Sequence, residues 1–242
     1  HGIGRRQRQM CIRDRKHTHA LIEMGANHIG EIDFLCTIAE PTHGLITNVG
    51  KAHLEGFGSE EGVLKGKTEL YRFLEKNGGT VFVNQEDRKL IGALGNHPCV
   101  NYTPSECSVL EDQPTLKLLC NTLEINTHLV GDYNKTNISA AICVGKAFGV
   151  HLHQSIAAIA NYIPANHRSQ LIKKGNKTIV LDAYNANPTS MRAAVSAFAK
   201  YEGKKATILG FMAELGAHEA NEHTAVVRLV KTLDIEACYW IG

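Results

Sequence analysis

No apolar run in the 242-residue sequence approaches the roughly 20 residues that span a bilayer, so no membrane-crossing helix is expected. The N-terminal stretch has no apolar core of the secretory type. Cysteine occurs at Cys11, Cys36, Cys99, Cys107, Cys120, Cys143 and Cys238, yet no two form a C-x-x-C pair. That absence argues against a zinc site, and an odd number of thiols in apolar surroundings reads as free, buried cysteine in a reducing cytoplasm. A basic face is missing too. Residues 1–16 hold Arg5, Arg6, Arg8, Arg13, Arg15 and Lys16 against Asp14, a net of +5, and the remainder carries −3. The excess of base is confined to a short stretch, so no nucleic-acid partner is expected. Internal repeats and low-complexity tracts are also absent. What is present, 43% hydrophobic and 21% charged residues, suits a globular chain long enough for one large domain or two ordinary ones.

Residues 1–18 read as a non-native or disordered tail: the first 16 show neither helical nor strand periodicity, and QRQMCIRDR resembles translated adapter sequence. From Ala20 onward short apolar runs alternate with helical spacing. Ala20–Met24 and Gly44–Thr47 read as strands, Glu31–Ala39 as a helix stopped by Pro41, and Ser59–Asn77 as one long amphipathic helix closed by Gly78 and Gly79. Thr80–Val83 is a further strand. This alternation implies a mostly parallel sheet covered on both faces. Short β-like pieces at Cys99–Tyr102, Thr115–Leu119 and Leu123–Ile125 suggest an antiparallel meander at the sheet edge, followed by helices over 135–148 and 154–162. The composition shifts through Pro164 and Asn166, a hinge. Beyond it come strand 178–182, helix 188–201, strand 206–209, helix 220–233 and strand 237–241, a second α/β unit. The expected division is 19–168 and 169–242, and a sheet that stops on a strand suggests that the second unit is cut short.

Several residues stand where open α/β sheets place ligands, at the C-terminal ends of strands. Glu23, in IEMGANH, offers carboxylate oxygens suited to a hard divalent cation, or is a solvated strand end. His53 lies in NVGKAHLEGFG, a loop with three glycines, and is either a metal ligand or a hydrogen-bonded structural imidazole. Lys67, in LKGKTEL, has Leu64, Leu70 and Tyr71 around it at helical spacing, so its stem faces the sheet; a neutralised amine there can carry a carbamate. Asn134 and Asn137, in GDYNKTN, either cap a helix or hydrogen-bond a purine edge. Asp182, Asn185 and Asn187, in DAYNANP, suit ribose and base contacts or a simple turn. Arg168 at the hinge can fork onto phosphate or ribose oxygens.

Taken in order, EMGANHIGEI, ITNVGKAHLEGFG, the KGKTEL lysine, GDYNKTN, the arginine of IPANHRSQL, DAYNANPTSM and LGFMAELG resemble the Mur ligases, over about residues 19–242. GANHxGEI, HLEGFG and YNANP point within that family to the branch that adds D-alanyl-D-alanine to UDP-N-acetylmuramoyl-tripeptide. The resemblance implies a monomeric, cytoplasmic, ATP-dependent amide ligase of peptidoglycan synthesis. Its fold would be a central ATPase domain with a mostly parallel sheet and an antiparallel edge, then part of a Rossmann-like C-terminal domain. It further implies that Glu23 ligates magnesium on the ATP phosphates. His53 holds a second magnesium, supported by carbamylated Lys67, and Asn134 and Asn137 line the adenine site. Arg168, Asp182, Asn185 and Asn187 close over ribose and phosphates. In such a ligase the γ-phosphoryl group passes to a carboxylate and the acyl phosphate is attacked by an amine, with metal ions neutralising the phosphates.

Three departures matter. Family members carry a G-x-x-G-K-[ST]-type phosphate loop and a UDP-sugar domain upstream, and neither is found here, so this chain by itself is expected not to turn over ATP. Phe211 stands where LGDMxELG has aspartate, and His167 precedes Arg168 where glycine is common. A Mur-type ligase with another amino-acid substrate, or a non-catalytic nucleotide-binding relative, are the alternatives.

Overall fold

The computed structural model describes residues 17–51, 53–165 and 167–241. The tail reading of residues 1–16, and Asn166 of the expected hinge, lie outside them. Helix α1 (Glu31–Ala39) follows Gly30 and buries Ile32 and Cys36, one turn apart on one face. Strands β1 (His43–Leu45), β2 (Thr80–Asn84) and β3 (Cys99–Tyr102) form a parallel sheet in that order. Between β1 and β2 run α2 (Leu54–Phe57), α3 (Glu60–Lys67) and α4 (Glu69–Asn77), and α5 (Arg88–Leu94) crosses from β2 to β3. Ile46, Leu70, Tyr71, Leu74, Val81, Val83 and Leu90 make the core on this sheet.

Four expectations are corrected. Residues 20–24 form no strand: Leu21 is fully exposed, and among the described residues no ladder partner takes up the backbone groups that an extended segment presents. The long helix expected over 59–77 breaks at Thr68, whose hydroxyl donates to the carbonyls of Leu64 (2.8 Å) and Lys65 (3.3 Å). A threonine that bonds back to the preceding turn competes with the helical ladder. The piece at 99–102 is not part of a meander but joins the parallel sheet, because α5, capped by the Asp87 carboxylate on Lys89 and Leu90 N–H, supplies the crossover. The meander is instead β4 (Cys107–Glu111), β5 (Lys117–Cys120) and β6 (Leu123–Asn126). Cys107 and Cys120 face each other across β4 and β5 and are disulfide-bonded, so these two are not the free thiols expected from their spacing. Helices α6 (Asn134–Ala147) and α7 (Leu152–Asn161) cover this sheet through Ile138, Ile142, Ile156 and Ile159.

In the second unit, β7 (Gln170–Lys174) and β8 (Lys177–Leu181) form an antiparallel hairpin turning at Gly175, where φ is +59°. Strand β8 was expected in a parallel setting, and β7 was missed because its lysines mask a half-buried strand. Helix α8 (Pro188–Ala199), strand β9 (Ala206–Gly210), helix α9 (Glu219–Thr232) and strand β10 (Ala237–Ile241) complete a parallel α/β piece, with β9 beside β10. The two units share a core: Leu54, Phe57 and Val63 pack with Met191, Val195, Met212, Leu215 and Val226. Among the described residues no helix is long and apolar enough to cross a membrane.

Candidate functional site

The motif segments, far apart in sequence, interlock. The Glu69 carboxylate, two residues beyond Lys67, accepts from Gly30 N–H (2.7 Å) and Asp33 N–H (3.0 Å), capping the helix that follows EMGANHIG. A Cβ on Gly56 would run into the Asn27 carbonyl oxygen, so only glycine lets the histidine loop approach the loop after Glu23. Lys67 is partly buried and donates to the Asn48 carbonyl (2.8 Å). Burial pushes its ammonium below the ordinary lysine range. It lines a cavity of about 120 Å³ with Met24, Ile46 and Thr47, beyond the end of β1. Segments 23–30, 48–58 and 67–69 thus meet at one sheet edge. Glu23 is exposed there. Among the described residues no three His, Cys, Asp or Glu side chains are grouped so as to hold a metal ion.

His53 occupies the left-handed region (φ +55°) just before α2 and passes its Nδ1 to the Glu214 carboxylate of the second unit. Glu214 is itself left-handed (φ +61°), and its carbonyl accepts from Glu55 N–H (3.1 Å). Beside them Gly50 packs against Thr189, whose hydroxyl accepts from Lys51 N–H (3.2 Å). The Lys51 ammonium reaches Glu222 (2.6 Å), and Arg192 reaches the other oxygen of that buried carboxylate (2.5 Å). Burial alone would push Glu222 up. The Lys51 hydrogen bond and charge and the Arg192 charge outweigh it and hold the acid below the usual carboxylate range.

A second cluster joins the start of α6 to the hinge. Asn134 is buried, with both ends of its amide spent: Nδ2 donates to the Val130 carbonyl (2.9 Å) and Oδ1 accepts from Asn137 Nδ2 (3.1 Å). Asn137 is exposed, and its own oxygen takes no part in that bond. The neighbouring Tyr133 hydroxyl meets Ser169 Oγ (2.9 Å), which meets Asp182 (3.2 Å). The Arg168 guanidinium lies 3.9 Å over the Tyr184 ring, between His167 (φ +59°) and Ser169 (φ +46°). Asn187 caps α8 by accepting from Ser190 N–H (2.9 Å), and Asn185 accepts from Ala186 N–H (2.9 Å). For Asn187 the expectation was a ribose or base contact or a simple turn; its side chain here caps a helix. Asp182 is linked through Ser169 to Tyr133 at the start of α6, Arg168 stacks on Tyr184, and Asn185 and Asn187 organise their own loop.

Sequence reasoning missed Glu214, Ser169, Tyr133 and the Lys51–Glu222–Arg192 group. Lys51, Tyr133, Ser169 and Glu214 lay inside segments already singled out, but nothing local marks their partners, 36 positions apart for Tyr133 and Ser169 and 161 for His53 and Glu214. Phe211 stacks on the His223 ring (4.9 Å), and His223 Nε2 accepts from Met212 N–H (3.1 Å).

Residues 6–145 match the Mur ligase middle domain, and residues 167–242 the domain described as "Mur ligase, glutamate ligase domain". The UDP-N-acetylmuramoyl-tripeptide–D-alanyl-D-alanine ligase of Bacillus subtilis is 32% identical over 92% of this chain and 51% of its own length. That of Escherichia coli is 31% identical over 94% and 53%. The crystal structure of MurF from Acinetobacter baumannii superposes with a TM-score of 0.84 at 30% identity, over 95% of this chain and 53% of that one. The Thermotoga maritima MurF structure, solved in complex with ADP, gives 0.79 at 24% identity and shares the fold. The chain spans about half the length of the relatives it matches.

Proposed function

The chain belongs to the Mur ligase family, and we propose that it serves ATP-dependent ligation of D-alanyl-D-alanine to UDP-N-acetylmuramoyl-tripeptide, in the bacterial cytoplasm and as a monomer. The observation that carries this reading is the identity of about a third, over nearly the whole chain, to ligases of that name, combined with the meeting of all the motif segments across two units. The domain boundary falls at residue 168.

The residues fit the groups such a reaction needs. Lys67 has an amine that burial biases toward its neutral form, which is the form that takes up carbon dioxide to make a carbamate. His53 has Nδ1 engaged by Glu214, leaving Nε2 as the nitrogen available to a cation. Glu23 contributes carboxylate oxygen. Bound magnesium ions, two in this reading, would supply charge neutralisation of the ATP phosphates. Asn137 offers a carboxamide to the adenine edge, with Asn134 fixing its orientation from beneath. Arg168 is held by Tyr184 where it can swing to the phosphates, and Asp182 stands beside Ser169 for the ribose. Asn185 and Asn187 shape the loop behind them. Docking of the two units would keep water from an acyl phosphate, which otherwise hydrolyses.

Binding of ADP with Mg2+ to the purified chain, followed by calorimetric titration, tests the nucleotide reading. Saturable binding weakened roughly tenfold or more by Arg168→Ala is expected; no binding would contradict it. For the amine substrate, D-alanyl-D-alanine is expected to raise the melting temperature where L-lysine, diaminopimelate and D-glutamate do not. A preference for one of those three would favour a sister ligase.

A further inference from the structure

We infer that Glu214 is a positioning residue for His53: it reaches across from the second unit and sets which imidazole nitrogen faces the cation site, so that this site is complete only when the units are docked. The inference rests on the reading of His53 as a cation-holding side chain.

Several independent observations converge on the pair. Their side chains are in direct contact through His53 Nδ1 and a Glu214 carboxylate oxygen, although 161 positions separate them. Both residues are non-glycine and both are left-handed, at φ +55° and φ +61°. Such a conformation is disfavoured by sterics and persists only where its surroundings impose it. Those surroundings are visible. Glu55 N–H donates to the Glu214 carbonyl (3.1 Å), and the next residue, Leu215, is buried against Leu54 and Phe57. Gly216, also left-handed at φ +53°, would bring a Cβ within 3.4 Å of the Glu55 backbone. The segment 214–216 is thus clamped on α2 by backbone and core contacts that do not depend on the carboxylate. What they deliver is an acidic side chain onto an imidazole.

The chemical consequence follows from the two nitrogens of the ring. An imidazole that donates Nδ1–H to a carboxylate has its lone pair on Nε2, and its ring rotation is restricted. A carboxylate behind a ligating histidine also raises its basicity, and loss of such a partner costs roughly 10- to 100-fold in metal affinity. Free histidine has no such bias. Because Glu214 belongs to the second unit, separating the units removes the bias along with the contact.

The test uses the full chain with histidine ring nitrogens labelled with 15N, at about pH 8 where an ordinary imidazole is neutral. His53 is expected to show a protonated Nδ1 and an unprotonated Nε2. Glu214→Ala should release that bias, and Glu214→Gln, whose amide oxygen can still accept, should retain most of it. With Mn2+ alone as the probe, Glu214→Ala should bind roughly 10- to 100-fold more weakly, and Glu214→Gln should fall between it and the parent. A parent His53 protonated on Nε2, or a tautomer unchanged in Glu214→Ala, would overturn the inference while leaving the ligase reading in place. Equal Mn2+ affinity in the parent and His53→Ala, with the tautomer bias present, would instead overturn the cation role of His53 itself. Unaltered melting curves for Glu214→Gln separate these outcomes from misfolding.

Discussion

The loop that carries His53 and the stretch that carries Glu23 were both expected at strand ends on the ligand edge of the sheet, and they came out as opposites. The first is embedded. Leu54 and Phe57, immediately after His53, sit in a core built mostly by the second unit, and Gly50, Lys51, His53 and Glu55 each contact it. The second is open: Glu23 is exposed, Leu21 is fully so, and the backbone of 20–24 joins no sheet among the described residues. The contrast teaches that a ligand edge can draw one side of its site from a buried junction between units and the other from exposed chain.

Breaking the embedded side should have the largest effect. Phe57→Ala is expected to destabilise the chain by about 3–5 kcal/mol in chemical denaturation, because its cavity opens in a core shared by both units; a loss under about 1 kcal/mol would mean that the units do not rely on this junction. Glu222→Ala should cost less, about 1–2 kcal/mol, since Lys51 and Arg192 remain partly exposed and water can solvate them. The sign of its pH dependence follows from the lowered Glu222 pKa. The stabilisation is present above the ordinary glutamate pKa of about 4.3 and is lost as pH falls through the lower folded value, so the variant and the parent should converge in acid.

Lys67 sharpens the comparison from between the two sides. Its pKa is lowered by burial, so the folded chain sheds that proton before the unfolded one does, and stability should rise with pH up to about 10.4. Lys67→Met should flatten that rise and leave stability near neutral pH equal or slightly higher. In 13C-bicarbonate the parent should show a carbamate resonance that the variant lacks; its absence from the parent would remove the modified lysine from the proposal. On the open side, Leu21→Ala should change stability by no more than about 0.5 kcal/mol. A larger loss would show that this stretch packs more firmly than its exposure indicates.

How much of this was legible in the sequence depended on range. Helix 31–39 and strand 237–241 have the bounds the sequence suggested, although Ile38 in the first and Tyr239, Trp240 and Ile241 in the second are exposed. The helix break at Thr68 was not, since a threonine hydroxyl bonding back along the chain leaves the apolar period intact on both sides. Strand 20–24 failed for a different reason: periodicity reports which residues can be buried, and a strand also needs a neighbour. The motif residues were found, but their division of labour was not. Asn134 looked equivalent to Asn137, yet one is buried with a hydrogen bond at each end of its amide and the other is exposed. Glu214 carried no local signal, because its meaning lies in a histidine of the other unit.

A crystal structure of the chain with ADP and Mn2+ would decide the matter most directly. The expected result is adenine against Asn137, phosphates toward Arg168, and an anomalous peak coordinated by Nε2 of His53 with Glu214 on Nδ1. Nucleotide bound away from α6 and the hinge, or manganese with no contact to His53, would contradict it.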